Sequence, residues 1–245
     1  MPKFFISQNQ QHDSKIIIQG TDVNHIKNVL RKKAGDKINI CIKEIQTDCI
    51  AKIEKISDTE IICEIEKYEK KNTEPSIKVT IFQGLPKSDK MELIIQKAVE
   101  LGVYEIYPVN MIRCVTKFKN ENKKIERWNK ISEVAAKQSG RNIIPKINNC
   151  INIKKICEMI PKYDIVMVAY EQEDKNTLKV ELKKLQQKNN IQLAVIIGSE
   201  GGLDSKEVEM LQENGAKVIT LGKRILRTET VALNVLSSIM YEFEQ

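Results

Sequence analysis

The sequence predicts an α/β protein in two parts, a small β-barrel followed by a larger domain with a mostly parallel sheet. Residues 1–74 carry short apolar stretches with the alternation of half-buried strands. After residue 75, strands of buried type alternate with segments of helical periodicity. The polar stretch Lys70-Lys71-Asn72-Thr73-Glu74-Pro75 separates the two patterns and is the best candidate linker. We therefore expect one domain at 1–73 and a second at 74–245.

The first part is predicted to be mainly β-structure. Strands are expected at 16–18, 37–42, 49–56 and 60–65, and turns at Gly35-Asp36 and Ser57-Asp58 separate some of them. One short helix is expected near 23–33, with Thr21 or Asp22 as its cap. Short antiparallel strands at this spacing favour a small barrel. His25 on the short helix is expected to be a packed or hydrogen-bonded residue rather than a catalytic one.

The second part alternates strands and helices. Strands are expected at 79–82, 104–109, 165–169, 193–197 and 217–221. Helices are expected at 91–101, 123–138, 178–188, from Asp204 onward, and from Thr228 or Thr230 to Phe243. Asp204 and Glu207 have the spacing of a capping box, so a catalytic role for either carboxylate competes with this simpler one. Repeated β-α units of this length predict a mostly parallel sheet with helices on both faces.

The positive charge is concentrated in one segment. The chain carries a net charge of +7, and residues 111–146 hold ten basic and three acidic side chains, a surplus equal to the whole net charge. A concentrated basic stretch suits a polyanion, because each neutralised phosphate releases counterions. On charge alone, a solvated helix face explains the segment equally well.

Cysteine and histidine are too sparse and too dispersed for a metal centre. The six cysteines include no Cys-x-x-Cys pair, and His12 and His25 are the two histidines. The spacing of a zinc or iron–sulfur site is therefore absent, and reduced, mostly buried thiols are expected. The first residues lack a signal-peptide pattern, and no apolar run approaches the ~18 residues of a membrane span. We expect a cytoplasmic protein without a bound metal.

Two predicted strands end in polar loops that contain glycine. The strand at 193–197 leads into Gly198-Ser199-Glu200-Gly201-Gly202, and the strand at 217–221 leads into Gly222-Lys223-Arg224. Loops at neighbouring strand ends are where an open α/β sheet binds its ligand, although ordinary turns also use glycine. The chain has no phosphate-loop motif and no Gly-x-Gly-x-x-Gly fingerprint, which argues against a nucleotide triphosphatase and a standard dinucleotide fold.

The wording of these loops resembles the RsmE-type family of small-subunit rRNA uridine N3-methyltransferases, a branch of the knotted SPOUT methyltransferases. The resemblance covers the whole chain. It rests on five matches in order: His25-Ile26 with Val29-Leu30-Arg31, Lys87 to Glu92 with Lys97 to Val103, Arg127-Trp128 with Glu133 to Arg141, Gly198-Ser199-Glu200-Gly201-Gly202-Leu203 with Glu207, and Leu221 to Thr230. Ser199 and Leu203 depart from the family's usual Gly-Pro-Glu-Gly-Gly-Phe, and the missing proline should loosen the turn slightly.

The resemblance implies a fold, a cofactor and partners. It implies a PUA-like RNA-binding domain followed by a SPOUT domain whose last part forms a deep trefoil knot. S-adenosyl-L-methionine is expected in a bent form inside the knot loops, and the protein is expected to be a homodimer with active sites at the subunit interface. The implied substrate is one uridine of 16S rRNA in the 30S ribosomal subunit.

The resemblance also implies the residues that bind the cofactor. Main chain of two glycine loops would grip the adenosyl part, and the loop after the strand at 165–169 would form a third wall. The apolar Ile225 and Leu226 suit an adenine ring, although packing under a turn is their simpler role. The implied cofactor-binding residues are Ala169, Tyr170, Ile197, Gly198, Glu200, Gly201, Gly202, Leu221, Gly222, Arg224, Ile225 and Leu226.

The acceptor raises a chemical problem of its own. Uracil N3 carries a proton at neutral pH, so its attack needs a base or stabilisation of the anion on the ring oxygens. The second domain has no histidine. The possible proton acceptors are then Glu133, Glu171, Glu200 and Glu229, and the cations that could favour the anion are Arg141, Arg224 and Arg227. We expect Arg227 and Arg141 to favour the anion, with Glu229 as the leading carboxylate. A first-turn acid favoured by the helix dipole explains Glu229 equally well.

Basic residues in both domains are expected to contact RNA. The predicted set is Arg31, Lys32, Arg113, Lys123, Lys124, Arg127 and Arg141. Trp128, the single tryptophan, fits core packing at least as well as stacking on a base. Two other functions stay open at this point. The first is ribose 2′-O methylation within the same superfamily, and the second is a non-catalytic RNA-binding assembly factor.

Overall fold

The structure is a computed structural model that describes residues 2–69, 72–115, 120–185 and 190–244. These residues divide into two compact units, the first made of Met1–Glu74 and Ala136–Ile144 and the second of Pro75–Ala135 and Pro145–Gln245. Three sequence predictions reach residues outside the described ones, namely the linker at Lys70 and Lys71, the basic segment 111–146 at Lys117 and Lys119, and the end of the helix expected at 178–188.

The first unit contains one six-stranded sheet. Its strands are β1 (Lys3–Ile6), β2 (Gln11–His12), β3 (Lys15–Gln19), β4 (Lys37–Ile42), β5 (Thr47–Ile56) and β6 (Glu60–Glu69). The sheet order is β1-β4-β5-β6-β3-β2. Strand β1 is parallel to β4, and the other neighbours are antiparallel. Helix α1 (Thr21–Asn24) continues into a π-helical turn at His25–Val29.

Alternation along the strands builds the core of this unit. In β3, Ile16 and Ile18 are fully buried, whereas Ile17 between them is half-buried. Every strand except the short β2 contributes to the same buried cluster. His25 packs edge-on against the Phe4 ring, with centroids 5.7 Å apart, which confirms its expected packing role. The four predicted strands are present, whereas β1 and β2 were not predicted.

The second unit contains a seven-stranded parallel sheet. Its strands are β7 (Lys78–Gly84), β8 (Glu105–Asn110), β9 (Lys146–Ile147), β10 (Ile151–Asn152), β11 (Ile165–Ala169), β12 (Gln192–Ile197) and β13 (Lys217–Ile219). The sheet order is β10-β8-β7-β12-β11-β13, and β9 pairs with β8. Strands β7 and β12 therefore lie side by side at the centre although more than 100 residues of chain separate them.

Helices cover both faces of this sheet. They are α2 (Lys90–Glu100), α3 (Glu121–Ser139), α4 (Ile153–Met159), α5 (Leu178–Lys183), α6 (Ser205–Glu213) and α7 (Thr228–Glu244). Helices α4 and α6 pack over a buried cluster that includes Val166 and Val168 of β11. Met167, which points to the opposite face, is also fully buried, and α7 packs against α2 and α5. Burial on both faces explains why these strands read as continuous apolar runs.

The predicted alternation of strands and helices is confirmed in this unit. The short strands β9 and β10 and helix α4 were not predicted, because two-residue strands and a seven-residue helix give almost no periodic signal. Trp128 is buried, so the core-packing alternative is the correct one. Within the described ranges, no helix is long and apolar enough to cross a membrane.

Candidate active site

A pocket of about 540 Å³ opens at the carboxyl ends of β11, β12 and β13. Its size lies within the range of small-molecule and cofactor sites. Three loops form most of the wall, and they follow β11 at 169–171, β12 at 197–202 and β13 at 220–228. Lys90 of α2 and Val231 of α7 complete it. The carboxyl end of a parallel sheet is the usual position for a ligand, because the loops there can vary without disturbing the strands.

The loop after β12 requires glycine at two positions. A Cβ atom on Gly198 would lie 2.9 Å from the carbonyl carbon of Gly202, so the loop folds back closely upon its own start. Gly202 has φ +72°, a left-handed conformation that other residues rarely adopt. The Gly202 N–H donates to the Ser199 carbonyl oxygen at 3.0 Å and closes the turn. A tight turn with little side-chain bulk exposes main chain to the pocket.

The start of α7 is tied to this loop by a buried hydrogen-bond chain. The Thr228 hydroxyl donates to the Gly198 carbonyl oxygen at 2.6 Å. It accepts from the side-chain amide of Gln83 at 2.8 Å, and both side chains are buried. Gln83 lies at the end of β7. Three chain segments that are distant in sequence therefore meet beneath the pocket floor.

A second contact network lies at the edge of the pocket. The Lys90 ammonium lies 3.3 Å from Glu200 Oε1 and 3.3 Å from Glu229 Oε2. The Lys87 backbone N–H donates to Glu200 Oε1 at 3.0 Å. Burial raises the pKa of Glu200, but the Lys87 N–H and the Lys90 ammonium outweigh this effect and lower it. Glu200 is therefore ionised at neutral pH and anchors the segment that leads from β7 to α2.

The outer side of the loop after β12 is held by Arg113 and by the start of α6. The Arg113 guanidinium lies 3.3 Å from Asp204 Oδ2, and the Arg113 carbonyl oxygen accepts from the Ser199 hydroxyl at 3.4 Å. Asp204 and Glu207 form the predicted capping box of α6, which confirms their structural role. Glu207 also accepts from the Ile112 N–H at 2.9 Å. The segment after β8 is thereby fixed against the pocket loop.

Comparison with known proteins assigns the family. An RNA methyltransferase domain model matches residues 72–240, and an RNA methyltransferase PUA domain model matches residues 18–66. Curated Ribosomal RNA small subunit methyltransferase E (RsmE) of Bacillus subtilis is 36% identical, covering 100% of this chain and 98% of that protein. The chain belongs to the RsmE family. The family assignment made from the sequence motifs is thus confirmed, as is an N-terminal PUA-like domain followed by a methyltransferase domain.

Two other members of the RsmE family support this assignment. Ribosomal RNA small subunit methyltransferase E of Mesomycoplasma hyopneumoniae is 34% identical, covering 97% of this chain and 98% of that protein. The crystal structure of the Neisseria gonorrhoeae protein of the same name, bound to S-adenosyl methionine, superposes with a TM-score of 0.87 at 26% identity. That comparison covers 98% of this chain and 97% of the other.

The residues that the RsmE resemblance implied for the cofactor lie together. All twelve line the pocket: Ala169, Tyr170, Ile197, Gly198, Glu200, Gly201, Gly202, Leu221, Gly222, Arg224, Ile225 and Leu226. These residues are not equally available to a ligand. Ile225 is 87% exposed, whereas the Glu200 carboxylate accepts from the Lys87 N–H and pairs with the Lys90 ammonium. Glu200 thus shapes the pocket through its contacts with a neighbouring segment.

The three predicted catalytic residues have different positions. Arg227 lines the pocket and is exposed. Glu229 lies in the first turn of α7, where a helix dipole favours an acid, and it also pairs with Lys90 at the pocket edge. Arg141 is not a lining residue. It is 4% exposed in the first unit, and its guanidinium pairs with the Glu74 carboxylate.

The predicted RNA-binding side chains differ in their exposure and in their ion pairs. Arg31 and Lys123 are exposed, and Lys32 and Lys124 are half-buried. Arg127 pairs with Glu92 at 2.8 Å, and Arg113 is engaged by Asp204. Arg141 is buried, and its guanidinium pairs with the Glu74 carboxylate. Within the described ranges, no group of three or more His, Cys, Asp or Glu side chains is placed to hold a metal ion.

Sequence reasoning missed several pocket residues. Lys90, Ser199, Thr220, Lys223, Thr228 and Val231 line the pocket and were not predicted as site residues. Lys90 could have been found, because β7 is a buried parallel strand and the helix after it must start at the same sheet edge as the glycine loops. Gln83 gave no such signal, since a single buried amide within a strand has no characteristic pattern.

Proposed function

We propose that the protein is an S-adenosyl-L-methionine-dependent methyltransferase that modifies N3 of one uridine in 16S rRNA of the small ribosomal subunit. The observation that carries the proposal is the pocket at the ends of β11, β12 and β13, with its three glycine-rich or backbone-rich walls. The RsmE family membership supports the same reaction class. The uridine N3 position rests on the motif that includes Arg224, Arg227 and Glu229.

The pocket residues fit the cofactor chemically. Main chain of Ile197, Gly198, Leu221 and Gly222 would hold the adenosyl part, with Leu226 beside the ring. S-adenosyl-L-methionine supplies an activated methyl group, so the protein has mainly to align the donor and the acceptor. The close turn at Gly198 and Gly202 suits this task, because it lets backbone N–H and C=O groups approach a ligand without intervening side chains.

Arg227 and Glu229 would act on the acceptor. Arg227 is an exposed cation at the pocket and would favour negative charge on the uracil oxygens when N3 loses its proton. Glu229 would receive that proton or orient the base, within reach of the same pocket edge. Arg141 stays a predicted contributor to this charge stabilisation, and within the first unit its guanidinium pairs with the Glu74 carboxylate.

The proposal extends to domain roles, threading and assembly. Residues 1–73 would bind RNA and residues 74–245 would form the catalytic domain.

The course of the chain supports a trefoil knot, because it leaves edge strand β13, returns past the ends of β11 and β12, and starts α7 beside Gly198. Exposed apolar side chains such as Tyr241 on α7 support a homodimer. A cofactor-bound crystal structure would test the threading, and sedimentation would test the dimer.

The test of function is methyl transfer from labelled S-adenosyl-L-methionine to 30S subunits from a strain that lacks the modification, followed by mass spectrometry of nucleosides. We expect 3-methyluridine, and we expect Arg227→Met to reduce the yield at least tenfold, as loss of an electrostatic stabiliser does. Appearance of a 2′-O-methylated nucleoside would replace the base with the ribose as acceptor. Cofactor binding without any transfer would favour an assembly factor.

A further inference from the structure

Lys90 occupies a position that no proposed role yet explains. It is the first residue of α2, and its ammonium lies 3.3 Å from carboxylate oxygens of both Glu200 and Glu229. Its side chain lines the pocket. Glu200 belongs to the loop after β12 and Glu229 to the first turn of α7, so one cation joins three segments of the second unit.

The contacts of Glu200 fix where this cation lies. The Glu200 carboxylate accepts from the Lys87 N–H at 3.0 Å, which holds the segment before α2 against the loop after β12. Lys90 then reaches Glu229 from a defined side, because its own helix start is anchored only three residues earlier. Glu229 has a side-chain exposure of 17%, so its carboxylate has limited freedom apart from this contact.

The charge state of Lys90 excludes the role of a base. Desolvation lowers its pKa, but interactions with Glu229 and Glu200 outweigh this effect and raise it. The ammonium therefore stays protonated at neutral pH. It forms an ion pair with Glu229 Oε2 at 3.3 Å, without hydrogen-bond geometry, and this charge pairing holds the carboxylate on the Lys90 side. Without Lys90, Glu229 would be free to turn toward the exposed cations Arg224 and Arg227 of the neighbouring loop.

We propose that Lys90 is a positioning residue for methyl transfer, acting by holding the Glu229 carboxylate at the pocket edge. The inference rests on the proposed function, since it assigns the carboxylate to the acceptor. It differs from a role in cofactor binding, because Lys90 acts through Glu229. It also differs from a general contribution to folding, because its effect must disappear once the Glu229 carboxylate is removed.

A double-mutant cycle tests this coupling on the full-length protein with 30S subunits. Lys90→Met removes the charge at similar length, Lys90→Arg keeps it, and Glu229→Gln removes the carboxylate charge. Lys97→Met is the matched control, because Lys97 lies on the same helix and pairs with Glu100 on the surface. For each variant, kcat is measured at saturating cofactor and RNA, cofactor Kd by calorimetry, and Tm by circular dichroism.

We expect Lys90→Met to lower kcat about tenfold while the cofactor Kd changes less than about threefold, as for loss of alignment. Lys90→Arg should recover kcat to within about threefold, and Lys97→Met should match wild type. In the Glu229→Gln background, Lys90→Met should cost almost nothing further.

Three results would overturn the proposal. They are a wild-type kcat for Lys90→Met, losses that multiply in the double mutant, and a wild-type kcat for Glu229→Gln. Absence of methyl transfer by the wild-type protein would instead overturn the proposed function, and this inference with it. If the wild type is active but the effects of Lys90→Met and Glu229→Gln on kcat are independent of each other, the proposed function stands and only the role of Lys90 is lost.

Discussion

Thr228 and Gly198 are joined by a hydrogen bond of 2.6 Å that connects the start of α7 to the loop after β12. The Gln83 amide donates to the same hydroxyl, so a residue of β7 completes the chain. Buried polar groups are costly when they lack partners, and here the Thr228 hydroxyl both donates to Gly198 and accepts from the Gln83 side-chain nitrogen. The glycine loop is therefore fixed from below as well as by its own turn.

Thr228→Val should damage the pocket through this chain. Valine has nearly the shape of threonine but cannot donate to Gly198 or accept from Gln83, so unfolding free energy should fall by about 2 kcal/mol. Cofactor affinity should fall about tenfold or more, because the loop that carries Gly198 loses its anchor. Urea unfolding and calorimetry measure the two effects.

Two control variants distinguish loss of the Thr228 hydroxyl from the effect of any substitution at the start of α7. Thr228→Ser keeps the donor and should retain most of the affinity. Thr230→Val alters an exposed threonine two residues away and should change neither quantity. Binding and stability of Thr228→Val equal to those of wild type would show that the hydrogen bond contributes little.

Arg141 and Glu74 form a buried ion pair in the first unit, with side-chain exposures of 5% and 14%. Glu74 also accepts from the Asn142 N–H at 2.7 Å. Removing one partner leaves an uncompensated buried charge, so Arg141→Met should destabilise the protein by about 3 kcal/mol. Arg127→Met is the control, because the Arg127–Glu92 pair is exposed on the arginine side and should contribute less than about 1 kcal/mol. Equal urea midpoints for the two variants would contradict the structural role of Arg141.

Local patterns account for the part of the site that sequence could predict. Gly198, Gly201, Gly202 and Gly222 follow apolar strands, and that order in the chain is visible without a structure. The capping box at Asp204 and Glu207 is equally local. These features are fixed by residues within a few positions of one another, so periodicity and motif wording identify them.

Contacts across the sheet explain features of the site that sequence could not predict. Gln83 reaches Thr228 because β7 pairs with β12, an adjacency that sequence alone does not give. Arg141 was expected to act in catalysis because its charge and motif resemble those of a phosphate or oxyanion contact. Its buried pair with Glu74 was not predicted, because burial of a charge depends on distant partners rather than on neighbouring residues.

The buried thiols of the first unit predict a loss of stability in alkali. Burial raises the pKa of Cys41 and Cys63 to about 12 and that of Cys49 to about 11, from an ordinary 9.0. Above pH 9 the unfolded chain releases these protons and the folded chain keeps them. The unfolded state then binds fewer protons, so stability falls as pH rises, by up to about 1.4 kcal/mol per pH unit for each thiol.

Urea unfolding under reducing conditions at about pH 8 and about pH 10 measures this decline. Cys63→Ala should be less stable than wild type at the lower pH, because it leaves a small cavity, but its decline with pH should be smaller. An identical decline in both proteins would show that Cys63 does not carry the effect.

The basic side chains of α3 should contribute to RNA affinity through counterion release. Lys123 and Lys130 are exposed on this helix and Lys124 is half-buried, within the segment that holds the chain's surplus of positive charge. If all three contact phosphates, reversing them to glutamate should lower the slope of log affinity against log salt by up to about 3. Filter binding of 16S rRNA fragments across salt concentrations measures the slope.

Reversal of Lys154, Lys179 and Lys183, which are exposed outside that segment, changes the net charge equally and should leave the slope nearly unaltered. A similar drop in both triple variants would indicate that net charge, rather than this helix face, determines binding, and an unchanged slope in both would leave α3 a solvated surface.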